Sequence, residues 1–428
     1  AEESVELTAF YVSPVCAPTR ASLLTGRYHQ RTGVTGVTSG FETMDPEEVT
    51  LAEVLATAGY RTALFGKWHL GEHYPSVPHA QGFHEFVGFR PGHLDDYFDP
   101  VLEHNGQPLP TTGYVTDILT DHAIRFVEDN RDRPFFLYLP YNAPHTPLFV
   151  PEEYARPYLE QGLPERTALI YGMIASIDEN VGRLLDRLEA LGLEKDTLVV
   201  FLTDNGPIWG WGEGADPRHN NGFRGQKFTV FEGGIRVPFF VRWPGRLEAG
   251  LRIDEPGAHI DVLPTLLDFL GLPSPAGVTI DGLSLRPLLE GRRDAWPERT
   301  LFQQYAVETT RTPAPRPGSV ARDGRFKLIQ ARDTVPWAGS GSSGPARLFD
   351  LQEDSGEQRD LAADDPQRLA ALERQYEAWW KEVTARRGFA RPAIEVGHPE
   401  ENPVVLTPHH ARASEGLRFL GFRGLRMD

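Results

Sequence analysis

The sequence holds a single cysteine in 428 residues. That excludes an internal disulfide and any zinc site built on several thiolates. Positive charge is scarce as well: 43 Lys and Arg stand against 60 Asp and Glu, a formal net charge of −17 at pH 7. A surplus of that sign argues against nucleic acid and against an anionic membrane surface as partners. No apolar run approaches the roughly 20 residues of a membrane-spanning helix. The opening stretch AEESVELTAFYVSPVC lacks the basic segment and apolar core of a signal peptide. No internal repeat is visible.

What is present is a folded-protein composition, 40% hydrophobic and 24% charged, on a chain long enough for one large catalytic domain plus an appendage. Extended apolar runs alternate with helical patterns, which predicts an α/β sheet with crossover helices. VTLAEVLATAGY reads as a helix ended by Gly59 and followed by the strand RTALFGKWHL. TDILTDHAIRFVEDN reads as a helix feeding the strand PFFLYLPYNAPH. In the longest helical pattern, Leu169, Met173, Ile174, Ile177, Val181, Leu184, Leu185 and Leu188 fall on one stripe. It leads through Gly192 into TLVVFLTDNG, whose apolar run predicts a strand buried on both faces. VPFFVRWP and HIDVLPTLLDFLG complete this region.

Beyond about Trp296 the pattern changes. SVARDGRFKLIQA predicts a hairpin turning at Asp323-Gly324, ARLFDL another short strand, and DPQRLAALERQYEAWWKEVTARR a closing amphipathic helix. We therefore expect an α/β catalytic domain over 1–298, a smaller α+β subdomain over 299–387 and a tail over 388–428. RTPAPRPGS and PWAGSGSSGPA read as loops by composition.

Ligands of open α/β sheets sit at the carboxyl ends of strands. GKWHLG, NAPHTP and TDNG fall at such ends, and FRGQKFTVFEGGIRVP precedes a further strand. Taken singly these are bland: a turn at Asp204-Asn205-Gly206, a loop histidine at His145, surface lysines at Lys67 and Lys227, a core histidine at His69. Taken in order with Cys16-x-Pro18-x-Arg20 and LLTGR, and with DGLSLRPLL and LFDLQEDSGEQRDL further on, the series resembles the sulfatase family of the alkaline phosphatase superfamily over nearly the whole chain.

The resemblance implies a large mixed sheet sandwiched by helices, with a smaller C-terminal α+β subdomain. It implies hydrolysis of sulfate monoesters, either aryl sulfates or sulfated saccharides. Cys16 stands where such enzymes carry a cysteine that a separate maturation enzyme oxidises to formylglycine; Thr19 stands where many relatives have serine. The aldehyde hydrates to a geminal diol. One hydroxyl attacks sulfur, and the second lets the adduct collapse and expel sulfate, so water need never attack sulfur. By the same resemblance Arg20 orients the diol, and Lys67, His145 and Lys227 surround the sulfate. His69 acts as base, and His145 or Lys227 protonates the leaving oxygen. Asp204 and Asn205 match metal ligands for a hard cation, Ca²⁺ by family preference, with Mg²⁺ the alternative because the ligand type suits both ions. Trp209 and Trp211 offer ring faces to a sugar or aryl group, or pack under their own loop. His93 and Asp95, in GFRPGHLDDYF, are candidates for the pocket wall. A single cysteine leaves the compartment open, cytoplasmic or periplasmic; the resemblance implies a periplasmic or secreted protein.

The sequence departs from the family pattern at its start. Sulfatases normally begin with a strand ending in two aspartates, some tens of residues before the cysteine motif, whereas here only AEESVELTAFYVSPV precedes Cys16. We therefore expect that upstream sequence carrying two metal ligands is missing, and that this form binds its cation weakly and turns over little. The alternatives are a phosphate or phosphonate ester hydrolase of the same superfamily and a catalytically silent binding protein, silent through truncation or because Cys16 is never converted.

Overall fold

The expected mixture of strands and helices is present in the structure, a computed structural model that describes residues 2–209, 218–305, 315–331, 344–385, 394–396, 398–401, 404–406, 417–419 and 425–427. The chain divides into two units, Ala1–Gly36 with Leu198–Ala390, and Val37–Thr197 with Arg391–Asp428.

In the first unit, a four-stranded sheet runs in the order Arg252–Ile253, Val5–Leu7, Phe239–Arg242, Val199–Leu202. The same three chain segments pair again just beyond, as Gly257–Ala258, Phe10–Tyr11 and Arg236–Val237. Pro238 lies at the step, where a residue without an N–H cannot continue a ladder. Val5–Leu7 and Val199–Leu202 are both antiparallel to Phe239–Arg242, so they run in one direction and end at the same edge. Val199–Leu202 corrects one expectation. Among the described residues it is an edge strand that pairs on one side only, and Phe201, on one of its faces, is 42% exposed, so that face is not buried.

The C-terminal part of this unit is a four-stranded antiparallel meander, Thr300–Gln304, Ser319–Asp323, Phe326–Gln330 and Arg347–Asp350, in chain order. Its hairpin turns at Asp323-Gly324 as predicted, with Arg322 facing Lys327. The helix Pro366–Thr384, capped by the Asp365 side chain, lays Leu372, Tyr376, Trp379 and Val383 against Leu301, Ala321, Leu328 and Leu348.

The second unit is built on a five-stranded sheet, in the order Gln107–Pro110, Val101–His104, Glu85–Phe89, Arg61–Lys67, Phe135–Tyr138. The last three are mutually parallel. Arg61–Lys67 and Phe135–Tyr138 therefore deliver the residues after them to one edge. The helix Leu51–Thr57 starts with a Thr50–Glu53 capping box, and Val115–Asp129 packs Leu119, Ala123 and Phe126 onto Phe65 and Val87. The helix Glu165–Ala190 buries Ile170, Gly172, Met173, Ser176 and Asn180, while Ile174 is 46% exposed. The apolar stripe is covered except at Ile174: Met173 lies in the core with Ile177 and Leu184 packed against it, and the helix Glu152–Glu160 comes against Gly172, where an added Cβ would stand 3.0 Å from Ala155 N. Among the described residues no helix is long and apolar enough to cross a membrane.

Candidate active site

Cys16 opens the helix Cys16–Thr25, all ten residues of which are buried. The N–H groups of a first helical turn have no intrahelical acceptor, so this end suits negative charge, and Pro18 in that turn forfeits no hydrogen bond. Gly26, in the left-handed region, closes the helix by donating to Ser22 O. Arg20 lies one turn beyond Cys16 on the same face. From 184 residues away its Nε and Nη2 donate to Asp204 Oδ2 at 2.9 and 2.8 Å.

Asp204 and Asn205 follow the strand Val199–Leu202. Asn205 Nδ2 donates to Gly206 O at 2.9 Å, and Asn205 Oδ1 is buried with no hydrogen-bond partner. Gly206 N–H donates to Gly234 O, and a Cβ on Gly206 would fall 1.9 Å from Gly233 O. The TDNG and EGGI segments thus meet backbone to backbone, which only glycine permits. Lys227 is 8% exposed; its N–H donates to Pro207 O at 2.7 Å, and the next N–H, of Phe228, donates to Pro14 O at 2.9 Å. One loop is in this way laced to the segment after Asp204 and to the segment before Cys16. Phe228 holds a φ of 74° to do so, a conformation that side chains rarely adopt. Trp209, half-buried with φ 61°, belongs to the same unit, and Trp211 lies outside the described residues.

An Asp carboxylate and an Asn carbonyl are the donors a hard cation takes, and the partnerless Asn205 Oδ1 is an atom such an ion would satisfy. Among the described residues no group of three or more His, Cys, Asp and Glu that could hold a metal is assembled.

The second unit carries Lys67, His69, His93, Asp95 and His145. Lys67 ends its strand 3% exposed, its N–H donating to Pro140 O at 2.9 Å. Its neighbour Gly66 must be glycine, since a Cβ there would fall 2.1 Å from Pro140 O. His69 is 3% exposed and held at φ 62°. Its Nε2–H donates to Val37 O at 2.9 Å, which leaves Nδ1, buried and with no hydrogen-bond partner, as the nitrogen bearing the lone pair. His145, in the NAPHTP turn, donates from Nδ1 to Thr146 O at 2.8 Å, and its carbonyl accepts from Tyr97 Oη at 2.6 Å. Its ring stacks on that of His93, and Asp95 Oδ1 stands 3.4 Å from His93 Nε2.

Residues 1–272 match the family model described as Sulfatase. The chain belongs to the sulfatase family. Residues 221–382 also match the model described as N-sulphoglucosamine sulphohydrolase, C-terminal. Among curated sulfatases, the chain is 33% identical to arylsulfatase A of Homo sapiens over 419 residues, 86% of this chain and 79% of that protein. It is 32% identical to the uncharacterized sulfatase YdeN of Escherichia coli K12 over 329 residues, 70% of this chain and 57% of that protein's length. Among solved structures, Ps i-CgsB in complex with k-i-k-neocarrahexaose matches with a TM-score of 0.76 at 26% identity, covering 91% of this chain and 88% of that one.

The first unit of this sulfatase chain also buries titratable residues that the sequence analysis did not single out. Ser13 Oγ lies 3.2 Å from His259 Nε2. Burial, reinforced by His29, pushes the His259 pKa down to about 3, and burial pushes that of His29 down to about 4, so both rings are neutral at neutral pH. Tyr305 is buried and has Cys16 in its electrostatic surroundings; burial first, then Cys16, hold its hydroxyl well above the usual phenol range. Lys327 is fully buried, 2.9 Å from Glu232 Oε1 and 2.8 Å from Glu357 Oε1. Tyr11 Oη donates to Glu232 Oε2, and the Glu232 N–H donates to Glu357 Oε2, both at 2.7 Å. Burial opposes charge on Glu232, but Lys327, Arg322 and Arg236 outweigh it and hold its pKa below the carboxylate range. The available signals were Glu232 in the EGGIR motif and a lysine in the alternating strand FKLIQ, where a buried charge demands a partner.

Proposed function

We propose that this chain is the catalytic part of a hydrolase of sulfate monoesters, acting on an aryl sulfate or a sulfated saccharide. The observation that carries the reading is Cys16 on the first turn of a buried helix, with Arg20 one turn on gripping Asp204 beside the partnerless oxygen of Asn205. Cys16 oxidised to formylglycine and hydrated would supply a nucleophilic hydroxyl and a second hydroxyl whose deprotonation releases sulfate. A cation held by Asp204 and Asn205, Ca²⁺ or Mg²⁺, would add local positive charge in a protein of net charge −17.

Arg20, fixed by its fork on Asp204, keeps the first-turn residue and the cation ligands in register. Lys67 and Lys227 bring positive charge to sulfate oxygens, where charge builds in the transition state. His69 takes a proton at Nδ1 during sulfate release, a role supported by the Nε2–H bond to Val37 O. His145, its Nδ1–H committed to Thr146 O, or Lys227 delivers a proton to the leaving oxygen.

The test is peptide mass spectrometry across Cys16, from a host that has the maturation enzyme, combined with turnover of matched aryl esters. Conversion of the thiol to the aldehyde removes about 18 Da, unlike the gain of oxygen in ordinary cysteine oxidation. Turnover of aryl sulfate well above aryl phosphate is expected. An unmodified thiol from such a host would favour a silent binding protein, and a preference for phosphate or phosphonate esters would move the chain to that side of the superfamily.

A further inference from the structure

Within the second unit, one short segment touches both candidate histidines. Residues 90–95, Arg-Pro-Gly-His-Leu-Asp, leave the strand Glu85–Phe89 beside the end of Arg61–Lys67. Gly92 lies against the imidazole of His69, where an added Cβ would stand 2.5 Å from Nε2 and 2.7 Å from Cε1. The next residue, His93, stacks on His145 with ring centroids 5.8 Å apart and planes within 14°. Two further bonds tie the segment to the same two loops: His69 N–H donates to Arg90 O at 3.0 Å, and Asn142 Nδ2 donates to Leu94 O at 3.4 Å.

The anchor of the segment is stiff. Arg90 donates to Glu103 through Nε and Nη2, at 2.7 and 2.9 Å, and through Nη1 to Glu72 O and Glu401 Oε1, at 2.8 and 2.9 Å. A guanidinium bonded in so many directions leaves little freedom to the residues that follow it.

We propose that residues 90–95 position both histidines of the hydrolytic reaction, with Gly92 as the seat of His69 and His93 as the seat of His145. The proposal rests on the function proposed above. Neither residue needs to touch substrate. Gly92 fixes where the His69 ring lies, and so where Nδ1 points. His93 covers one face of His145 while Thr146 O fixes its Nδ1–H, which together set the line along which a proton leaves Nε2.

The test uses the full chain with Cys16 converted, an aryl sulfate substrate, and the variants His93→Ala, His93→Phe and Gly92→Ala. Misplacing a catalytic group by about 1 Å can lower the rate by about 100-fold. Gly92→Ala should therefore lower kcat by about that factor, and His93→Ala by about tenfold, with KM kept within about twofold in both. His93→Phe, which restores a flat ring without charge, should recover most of the kcat lost in His93→Ala. A rise in KM at unchanged kcat in His93→Ala would make His93 a substrate contact and overturn the proposal, as would wild-type kcat in Gly92→Ala.

Imidazole NMR of the histidine-labelled chain supplies a readout independent of turnover, with signals assigned through His69→Gln and His145→Gln. His93→Ala should shift the His145 ring signals and spare those of His69, and Gly92→Ala the reverse. Unmoved ring signals overturn the positioning role. Absence of sulfate-ester turnover in the wild type, with the ring signals still responding, would instead count against the proposed function alone.

Discussion

Lowering the pH from about 7.5 to about 5 should destabilise this fold by about 4 kcal/mol through two histidines alone. His259 lies 3.2 Å from Ser13 Oγ, three residues before Cys16, and burial has pushed its pKa from the usual 6.5 to about 3. His29 is pushed by burial to about 4, against the upward pull of the Val34 and Gln304 carbonyls, which face its two ring nitrogens at 2.6 and 3.2 Å. In the unfolded chain both titrate near 6.5, so above that pH neither state binds the protons and no stability is lost. As the pH falls below about 6.5 the unfolded chain takes up two protons that the folded chain refuses until about 4 and about 3, and unfolding gains across that window. At pH 5 each ring is about 1.5 units below its unfolded pKa, which at about 1.36 kcal/mol per unit is about 2 kcal/mol each. Urea unfolding of the wild type, His29→Gln and His259→Gln at the two pH values reads this directly. Carboxylates titrate equally in all three proteins, so each substitution should shrink the pH response by about 2 kcal/mol. A response unchanged to within about 0.5 kcal/mol in both variants would refute the assignment of these rings as buried and neutral.

Two further outcomes concern charge. Lys327→Met leaves Glu232 and Glu357 buried without their ammonium, and should cost about 3–5 kcal/mol in urea unfolding; a loss below about 1 kcal/mol would mean that the pair is neutralised in some other way. Added Ca²⁺, with Mg²⁺ run in parallel, should raise the thermal midpoint of the wild type by mass action, worth about 2.7 kcal/mol at 100 times Kd. The rise should be much smaller in Asn205→Ala, and an equal rise in both proteins would place the ion elsewhere.

Features that depend on neighbours in the chain were legible in the sequence. Asp323-Gly324 carries its own turn chemistry, and Gly59 and Gly192 mark the ends of their helical patterns at positive φ. Of the stripe on Glu165–Ala190, Met173 and Leu188 are buried but Ile174 is exposed, because periodicity reports where apolar side chains lie, not which neighbour covers them. The helix Glu152–Glu160 settled that question at Gly172. Val199–Leu202 read as doubly buried for a similar reason, since an apolar run does not reveal what covers each face of a strand. The motifs gave the candidate residues by order and type, but not the Arg20–Asp204 fork across 184 residues or the Lys327–Glu232 contact across 95. Gly92 gave no signal at all. Its importance lies in an absent side chain, which becomes visible only with the His69 ring beside it.

The buried ammonium of Lys327 also bears on how this molecule can be divided. It stands on a strand of the meander, while the carboxylate it neutralises belongs to the glycine-rich segment that braces the residues around Asn205. A gene cut between these two sheets would express a fragment whose buried Glu232 keeps Arg236, 3.5 Å from its Oε2, and the Tyr11 hydroxyl, but loses Lys327 and Arg322. The meander is therefore no detachable module for domain shuffling: whichever partner sequence replaced it would have to bring a cation to the same depth.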